Sequence, residues 1–314
     1  MKQLLILLKG IAMGAANVIP GVSGGTIALV TGIYERLIQA VGNFNLPTLK
    51  LLLKGDLKEF SKKTDLVFLL VLLAGIGVAI VGLAGLLKHL LCNYEIHTLG
   101  FFFGLIIASV VLVAKQVGQW NVMSIVMLIL GVIIAVGISF LNPASSNSNF
   151  WYLVLCGIVA ISSMVLPGLS GSYVLLLMGN YILIMSAIST MNFKILLPVA
   201  LGSIIGLLLF VKVISFLLKR FKDGTIALLL GFVFGSLLII WPWKNTTYKL
   251  NASGEVVNKK LEVVADACKD GVVMSYERYM PEMNTSTWLT IGIIIVGAGA
   301  VLLLEKYGSK IKEA

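Results

Sequence analysis

Two short segments of this chain combine residue types that suit the binding of an anion. Residues 20–24 read Pro-Gly-Val-Ser-Gly and residues 167–171 read Pro-Gly-Leu-Ser-Gly. Gly25 and Thr26 follow the first segment, and Ser172 follows the second. Proline ends a helix, and glycine permits a tight turn and close approach of a ligand to the backbone. Ser23, Thr26, Ser170 and Ser172 supply hydroxyl donors. A helix that restarts after such a break begins with backbone N–H groups that have no intrahelical partner, at the positive end of its dipole. That combination favours a phosphate. The alternative is that the small residues only let helices pack closely. Occurrence of the same segment at two corresponding places favours the binding reading.

Few other residues near these segments carry chemistry. Asn17 stands just before the first and can hydrogen-bond a ligand or the backbone. Lys9, Glu35 and Arg36 are the notable charges in the first apolar stretch, and residues 150–190 carry none. An ionisable group inside a membrane is a functional candidate by default. Arg36 has the planar fork that grips a phosphate bidentately. Glu35 can neutralise Arg36 or carry a coupling proton. Both can equally sit at the membrane surface, with their stems buried and their heads in water. Coupling to protons or to sodium stays open. Cys92, Cys156 and Cys268 form no paired motif, and no cofactor or metal is expected.

The elements that position these residues are membrane helices. The chain has 314 residues, of which 59% are hydrophobic and 12% charged. A soluble domain carries about twice that charged fraction. Several apolar runs approach the roughly 20 residues needed for a helical span. The net charge of +10 sits in short connections between them, which points to the positive-inside rule rather than to nucleic acid.

The chain also repeats itself. Residues 10–41 align without gaps on 157–188, so that Gly32 and Tyr34 also meet Gly179 and Tyr181. Later, Gly-Phe-Phe-Phe-Gly at 100–104 matches Gly-Phe-Val-Phe-Gly at 231–235. The expected fold class is therefore an all-α polytopic membrane protein of two inverted-topology repeats. The first repeat is expected at 1–143, with a helical hairpin over 3–42 and spans at 66–91, 97–115 and 121–141. The second is expected at 150–314, with a hairpin over 151–190 and spans at 195–218, 224–241 and 287–305. A polar segment, 242–286, is expected outside the membrane. The N-terminal apolar run resembles a leader peptide, but its pattern recurs mid-chain, so it is read as a helix.

Inversion follows from loop charge. Lys50, Lys54, Lys58, Lys62 and Lys63, then Lys219, Arg220 and Lys222, then Lys306, Lys310 and Lys312 form three basic clusters. All three fall on the cytoplasmic side, with both termini, only if each split segment returns to the side it entered from. Each half then crosses three times. Whether each hairpin is re-entrant or spans fully is open. Paired breaks at corresponding places in inverted halves are the sequence mark of a transporter binding site.

The long stretch GIAMGAANVIPGVSGGTIALVTGIYERLI, with the later VLPGLSGSYVLLLMGNY, resembles the bacterial undecaprenyl phosphate translocase family. The resemblance covers nearly the whole chain, with 242–286 its least typical part. It implies a flippase that returns the lipid carrier's headgroup to the cytoplasmic leaflet of the bacterial cytoplasmic membrane for peptidoglycan synthesis, with no enzymatic activity. Its partners are then a polyprenyl phosphate and the bilayer. The substrate-binding residues expected on this chain are Asn17, Ser23, Gly24, Gly25, Thr26, Glu35, Arg36, Ser170, Gly171 and Ser172. A rival reading is an undecaprenyl diphosphate phosphatase. That family continues its motif with an arginine and a second serine, where this chain has Gly24-Gly25 and Gly171-Ser172. A transporter of another anion is the second rival.

Overall fold

The computed structural model describes residues 2–18, 23–141, 143–248, 255 and 273–313. The Pro20-Gly21 turn and Cys268 lie outside the described residues. The described chain is helical apart from a two-stranded antiparallel ribbon, β1 (Lys244–Tyr248) with β2 (Val273–Arg278). That ribbon stands in the segment expected to be polar and external.

Hairpin one consists of α1 (Lys2–Val18), α2 (Gly24–Val30) and α3 (Tyr34–Gly42). Two short amphipathic helices follow, α4 (Leu46–Leu53) and α5 (Leu57–Thr64). Then come α6 (Leu66–Asn93), α7 (Glu95–Ala114) and α8 (Val122–Ser139). Hairpin two consists of α9 (Phe150–Val165), α10 (Gly171–Leu177) and α11 (Tyr181–Ser189). It is followed by α12 (Phe193–Arg220), α13 (Lys222–Ser236) and α14 (Thr285–Glu313). The lengths repeat: α2 and α10 have 7 residues each, α3 and α11 have 9, and α6 and α12 have 28. The α4–α5 pair interrupts the first half alone.

The chain is a multi-pass membrane protein. Five of the described helices are long and apolar enough to cross a bilayer, and the number is six if the bent pair α10 with α11 counts as one span. α1 has 17 residues and α9 has 16. At 1.5 Å per residue each is about 25 Å long, just short of the roughly 30 Å hydrocarbon core. Asparagine side chains begin many of these helices. Asn45, Asn121, Asn149, Asn192 and Asn284 each accept a hydrogen bond from a backbone N–H of the first turn. Such caps satisfy donors that the helix itself leaves open.

In lipid, helices associate by close packing rather than by expulsion from water, and small residues make the contact. α1 crosses α6 where Gly10 meets Gly75, and α9 crosses α12 where Gly157 meets Gly202. The remaining helices pair between halves. α8 packs on α13 where Gly131 meets Gly231, and α14 packs on α7 where Gly104 meets Ile294. Neither half buries its own last helix, so the two form one body.

Polar contacts fix the direction of the long helices. Arg36 bonds Asp65 at the start of α6, and its neighbour Glu35 bonds Lys222 at the start of α13. The backbone N–H groups of Gly118 and Gln119, just past α7, donate to the Asp223 carboxylate. The start of α6, the end of α7, the end of α12 and the start of α13 thus share one face, here the first face. The end of α6, the start of α7 and the ribbon lie at the opposite, second face. There Cys92 is disulfide-bonded, while Cys156 is a buried free thiol inside hairpin two.

At the second face the β1 residue Lys244 is buried and donates from Nζ to Ile239 O at 3.2 Å. Burial pulls its ammonium from the ordinary 10.5 down to about 8, Arg278 pushes the same way, and Glu95 opposes. The folded chain therefore binds fewer protons than the unfolded chain between about pH 8 and 10.5. Stability is expected to rise with pH through that window. Melting curves of native and Lys244→Met protein between pH 7.5 and 10 check this, since the variant lacks that part of the rise.

Candidate functional site at the paired hairpin tips

α1 ends at Val18 and α2 restarts at Gly24, with Ser23 as its cap in an extended conformation. The Asn17 side-chain oxygen accepts from Gly24 N–H at 2.8 Å, and Ser23 Oγ accepts from Gly25 N–H at 3.1 Å. Thr26 N–H returns to Ser23 O at 3.0 Å. The leading donors of α2 are thus engaged by the tip itself. Residues 23–29 are all buried.

The second tip reaches across to the first. Ser23 Oγ donates to Leu166 O at 3.3 Å, and Gly168 N–H donates to Thr26 Oγ1 at 2.8 Å. A Cβ on Gly25 would stand 3.0 Å from Val165 O. Two breaks separated by over a hundred residues therefore meet in the interior. Buried backbone groups at membrane depth need partners, and here each tip supplies them to the other.

The tips differ in what they leave available. Ser170 caps α10 with an extended backbone, but its side chain makes no capping bond. Its Oγ lies 2.8 Å from Ser172 Oγ, with Ser170 half-buried and Ser172 exposed. Gly171 is buried against Ala160 O of α9. Tip one is closed on its own side chains, whereas tip two presents two adjacent hydroxyls. Eight of the ten residues expected from sequence, Asn17, Ser23, Gly24, Gly25, Thr26, Ser170, Gly171 and Ser172, belong to these two tips.

Glu35 and Arg36 do not join them. They stand on α3 at the first face. Arg36 grips Asp65 with Nε at 2.6 Å and Nη2 at 3.1 Å, and its guanidinium lies over the Phe68 ring at 4.2 Å. The fork read from sequence as a phosphate grip is occupied by a carboxylate. Glu35 Oε1 meets Lys222 Nζ at 2.8 Å, which ties hairpin one to the second half. Both pairs are well exposed, and such pairs contribute under about 1 kcal/mol. Arg36→Ala is accordingly expected to lower stability by less than about 1 kcal/mol and to leave translocation within about three-fold of native. Parallel melting and flux measurements check this; a ten-fold loss of flux returns Arg36 to the pathway.

The sequence reading also missed a second break in each hairpin. The turn after α2 passes through Gly32 and the turn after α10 through Gly179, with φ of +69° and +74°. α10 and α11 meet at 117°. The signal was present, since these two glycines are aligned in the repeat, each two residues before a tyrosine.

The chain matches the undecaprenyl phosphate translocase-like family over residues 13–257, a stretch that contains both tips. It belongs to that family. Among its relatives is the polyprenyl-phosphate transporter of Vibrio cholerae serotype O1, 38% identical over 312 residues, 99% of this chain and 98% of that protein. The polyprenyl-phosphate transporter of Staphylococcus aureus is 34% identical over 256 residues, 75% of this chain and 85% of that protein. No solved structure matches this chain. For this member of the translocase-like family, the paired tips are where repeat, burial and exposed hydroxyls coincide.

Proposed function

We propose that this chain translocates a polyprenyl phosphate, undecaprenyl phosphate in bacteria, across the cytoplasmic membrane, with the headgroup handled at the paired tips. The observation that carries this is the direct hydrogen-bonded junction of the two tips, beside which Ser170 and Ser172 keep their hydroxyls available. The names of the relatives supply the substrate class.

The physical demands are modest and specific. A phosphate monoester cannot enter hydrocarbon without donors that replace its water. Tip two offers the Ser170 and Ser172 hydroxyls, whereas the Gly24 and Gly25 N–H groups of tip one are already engaged by Asn17 and Ser23. The polyprenyl tail never leaves lipid, so only the headgroup needs a path. In this reading the two halves have inverted topology, and one rocks against the other about the tips. What supports inversion is that α6 starts, and α12 ends, on the first face. The first face is cytoplasmic, because Lys62, Lys63, Lys219, Arg220 and Lys222 gather there. The disulfide at Cys92 supports an exterior second face, since disulfides persist in oxidising compartments. The headgroup is returned inward, which recycles the carrier for cell-wall glycan synthesis.

The chain acts without cleaving its substrate, in keeping with relatives named as transporters rather than phosphatases. The test is headgroup translocation in proteoliposomes loaded with undecaprenyl monophosphate, with free phosphate monitored in the same sample. Accelerated translocation without phosphate release supports the reading. Phosphate release in a parallel sample loaded with undecaprenyl diphosphate replaces it with a phosphatase, and neither activity overturns it.

A further inference from the structure

The ribbon at the second face carries a guanidinium that its own fold does not use up. Arg278 ends β2, in register with Lys244. The backbone is pinned just beyond it, where Tyr279 N–H donates to Trp243 O at 3.0 Å and Trp241 Nε1 donates to Tyr279 O at 3.1 Å. Arg278 is half-buried, and its Nε donates to Leu238 O, just past the end of α13, at 2.7 Å. Among the described residues no carboxylate pairs with it, and none bonds either Nη group. Glu277, its neighbour on β2, is exposed and lies on the other side of the ribbon. Glu95 is the acid that acts on the adjacent Lys244. Holding one carbonyl does not call for a fork, since Lys244 holds the next one, Ile239 O, with an ammonium. A half-buried cation with no facing carboxylate is costly to keep, unless a ligand supplies the opposite charge.

This fork stands over tip two. The tip seats on α13 at Phe232, where a Cβ on Gly168 would strike the backbone, and Leu238 lies six residues further along. At 1.5 Å per residue that is about 9 Å toward the second face. The charge of Arg278 is felt at the Tyr173 phenol of α10, and Tyr173 directly follows Ser172. The Ser170 and Ser172 hydroxyls, 2.8 Å apart, therefore have a cation on their second-face side. The two kinds of group complement each other. Hydroxyls replace the water of a phosphate, and a guanidinium supplies its counter-charge.

We infer that Arg278 captures the phosphate headgroup on the second-face side of tip two and hands it to Ser170 and Ser172. The ligand it takes is a phosphate monoester anion, whose oxygens the Nη groups grip as a fork. This rests on the proposed transport and adds a residue to it. It also gives the ribbon a task, which is to hold the fork in place over the tip. Arg36 is the same residue type at the first face, but there Asp65 fills the fork. Capture is thus placed at the second face, where the guanidinium is open.

The test uses the full chain in nanodiscs for binding and in proteoliposomes for flux. Arg278→Gln removes the charge and keeps an N–H donor for Leu238 O. Arg278→Cys removes both, and its thiol can then be given a fixed cation with a trimethylammonium-ethyl methanethiosulfonate or an anion with the sulfonatoethyl reagent. The native chain treated with the same reagents controls for its other cysteines. Melting temperature, binding of undecaprenyl monophosphate, competition by inorganic phosphate and translocation are measured for each. Arg278→Gln is expected to melt like the native chain, to bind the lipid about ten-fold or more weakly and to translocate it correspondingly slowly. The cationic adduct of Arg278→Cys is expected to recover much of the binding, and the anionic adduct none. Competition by inorganic phosphate that the variants lose supports recognition of the phosphate alone, and lipid binding without such competition supports a site that also needs the tail. An Arg278→Gln variant that binds and translocates like the native chain overturns the inference. So does a loss that tracks a lowered melting temperature and is the same for both adducts, because that marks a merely structural tether. A native chain that neither binds nor moves the lipid instead overturns the transport reading beneath it.

Discussion

Gly168→Ala is expected to destabilise the folded protein by about 3 kcal/mol, the sum of two physical costs. Gly168 has φ of +84°, a conformation that costs an L-residue about 1–2 kcal/mol. The added Cβ would strike Phe232 O and stand 2.6 Å from Phe232 C and 2.8 Å from Val233 N. All three are backbone atoms of α13, which cannot swing aside as a side-chain tip can. Relief requires moving the tip, and that breaks the Gly168 N–H bond to Thr26 Oγ1 at the junction. Gly32→Ala is the control. Its φ of +69° imposes the same backbone cost, but nothing lies within 4 Å of the new atom. It is expected to cost only the conformational 1–2 kcal/mol or so. Unfolding of both variants in mixed micelles by denaturing detergent measures the difference. Equal costs would mean that tip two does not seat on α13 as described.

The second large effect is on transport rather than stability. The double variant Ser170→Ala, Ser172→Ala is expected to fold and melt like the native chain while losing most of its translocation. Ser170 makes no capping bond and Ser172 is exposed, so their removal opens no cavity and strands no buried partner. Substitutions of that kind stay within about 0.5 kcal/mol. A hydrogen bond to a charged phosphate contributes about 1.5–3 kcal/mol, so each lost hydroxyl slows translocation by about ten-fold or more. Ser23→Ala should behave differently. Ser23 is 3% exposed and bonds both Gly25 N–H and Leu166 O, so its loss lowers stability by about 1 kcal/mol as well as flux. Headgroup flux in proteoliposomes, set beside melting in detergent, separates the cases. Native flux from the double variant would move the headgroup site away from tip two.

Much of the candidate site was legible because its signal is local and doubled. Proline, glycine and serine at fixed spacing have backbone consequences within one turn, and their recurrence marked residues 20–24 and 167–171 before any contact was known. Thr26 could be suspected as a hydroxyl donor, but not as the acceptor for Gly168 N–H, because nothing in either segment encodes a partner so far along the chain. Arg36 and Glu35 were legible as charges near apolar sequence, but the sequence left open whether they stand by the tips or at the membrane surface. Their partners, Asp65 and Lys222, lie among many loop charges that sequence ranks equally. The α8–α13 and α14–α7 pairings were not legible either. A helix facing lipid is apolar on every side, so no hydrophobic stripe reveals which face meets which neighbour.

The sequence by itself determined that the chain lives in a bilayer, that its halves repeat, and that each half carries one break built from small and hydroxylated residues. Composition, periodicity and backbone chemistry are local quantities, and they suffice for those conclusions. Tertiary structure alone decided that the breaks meet, that the leading donors of tip one are engaged while tip two keeps a pair of serine hydroxyls nearer the surface, and that the Arg36 fork is taken by Asp65. These depend on which of many chemically equivalent partners lies within about 3 Å, and that is settled only when all the helices pack together.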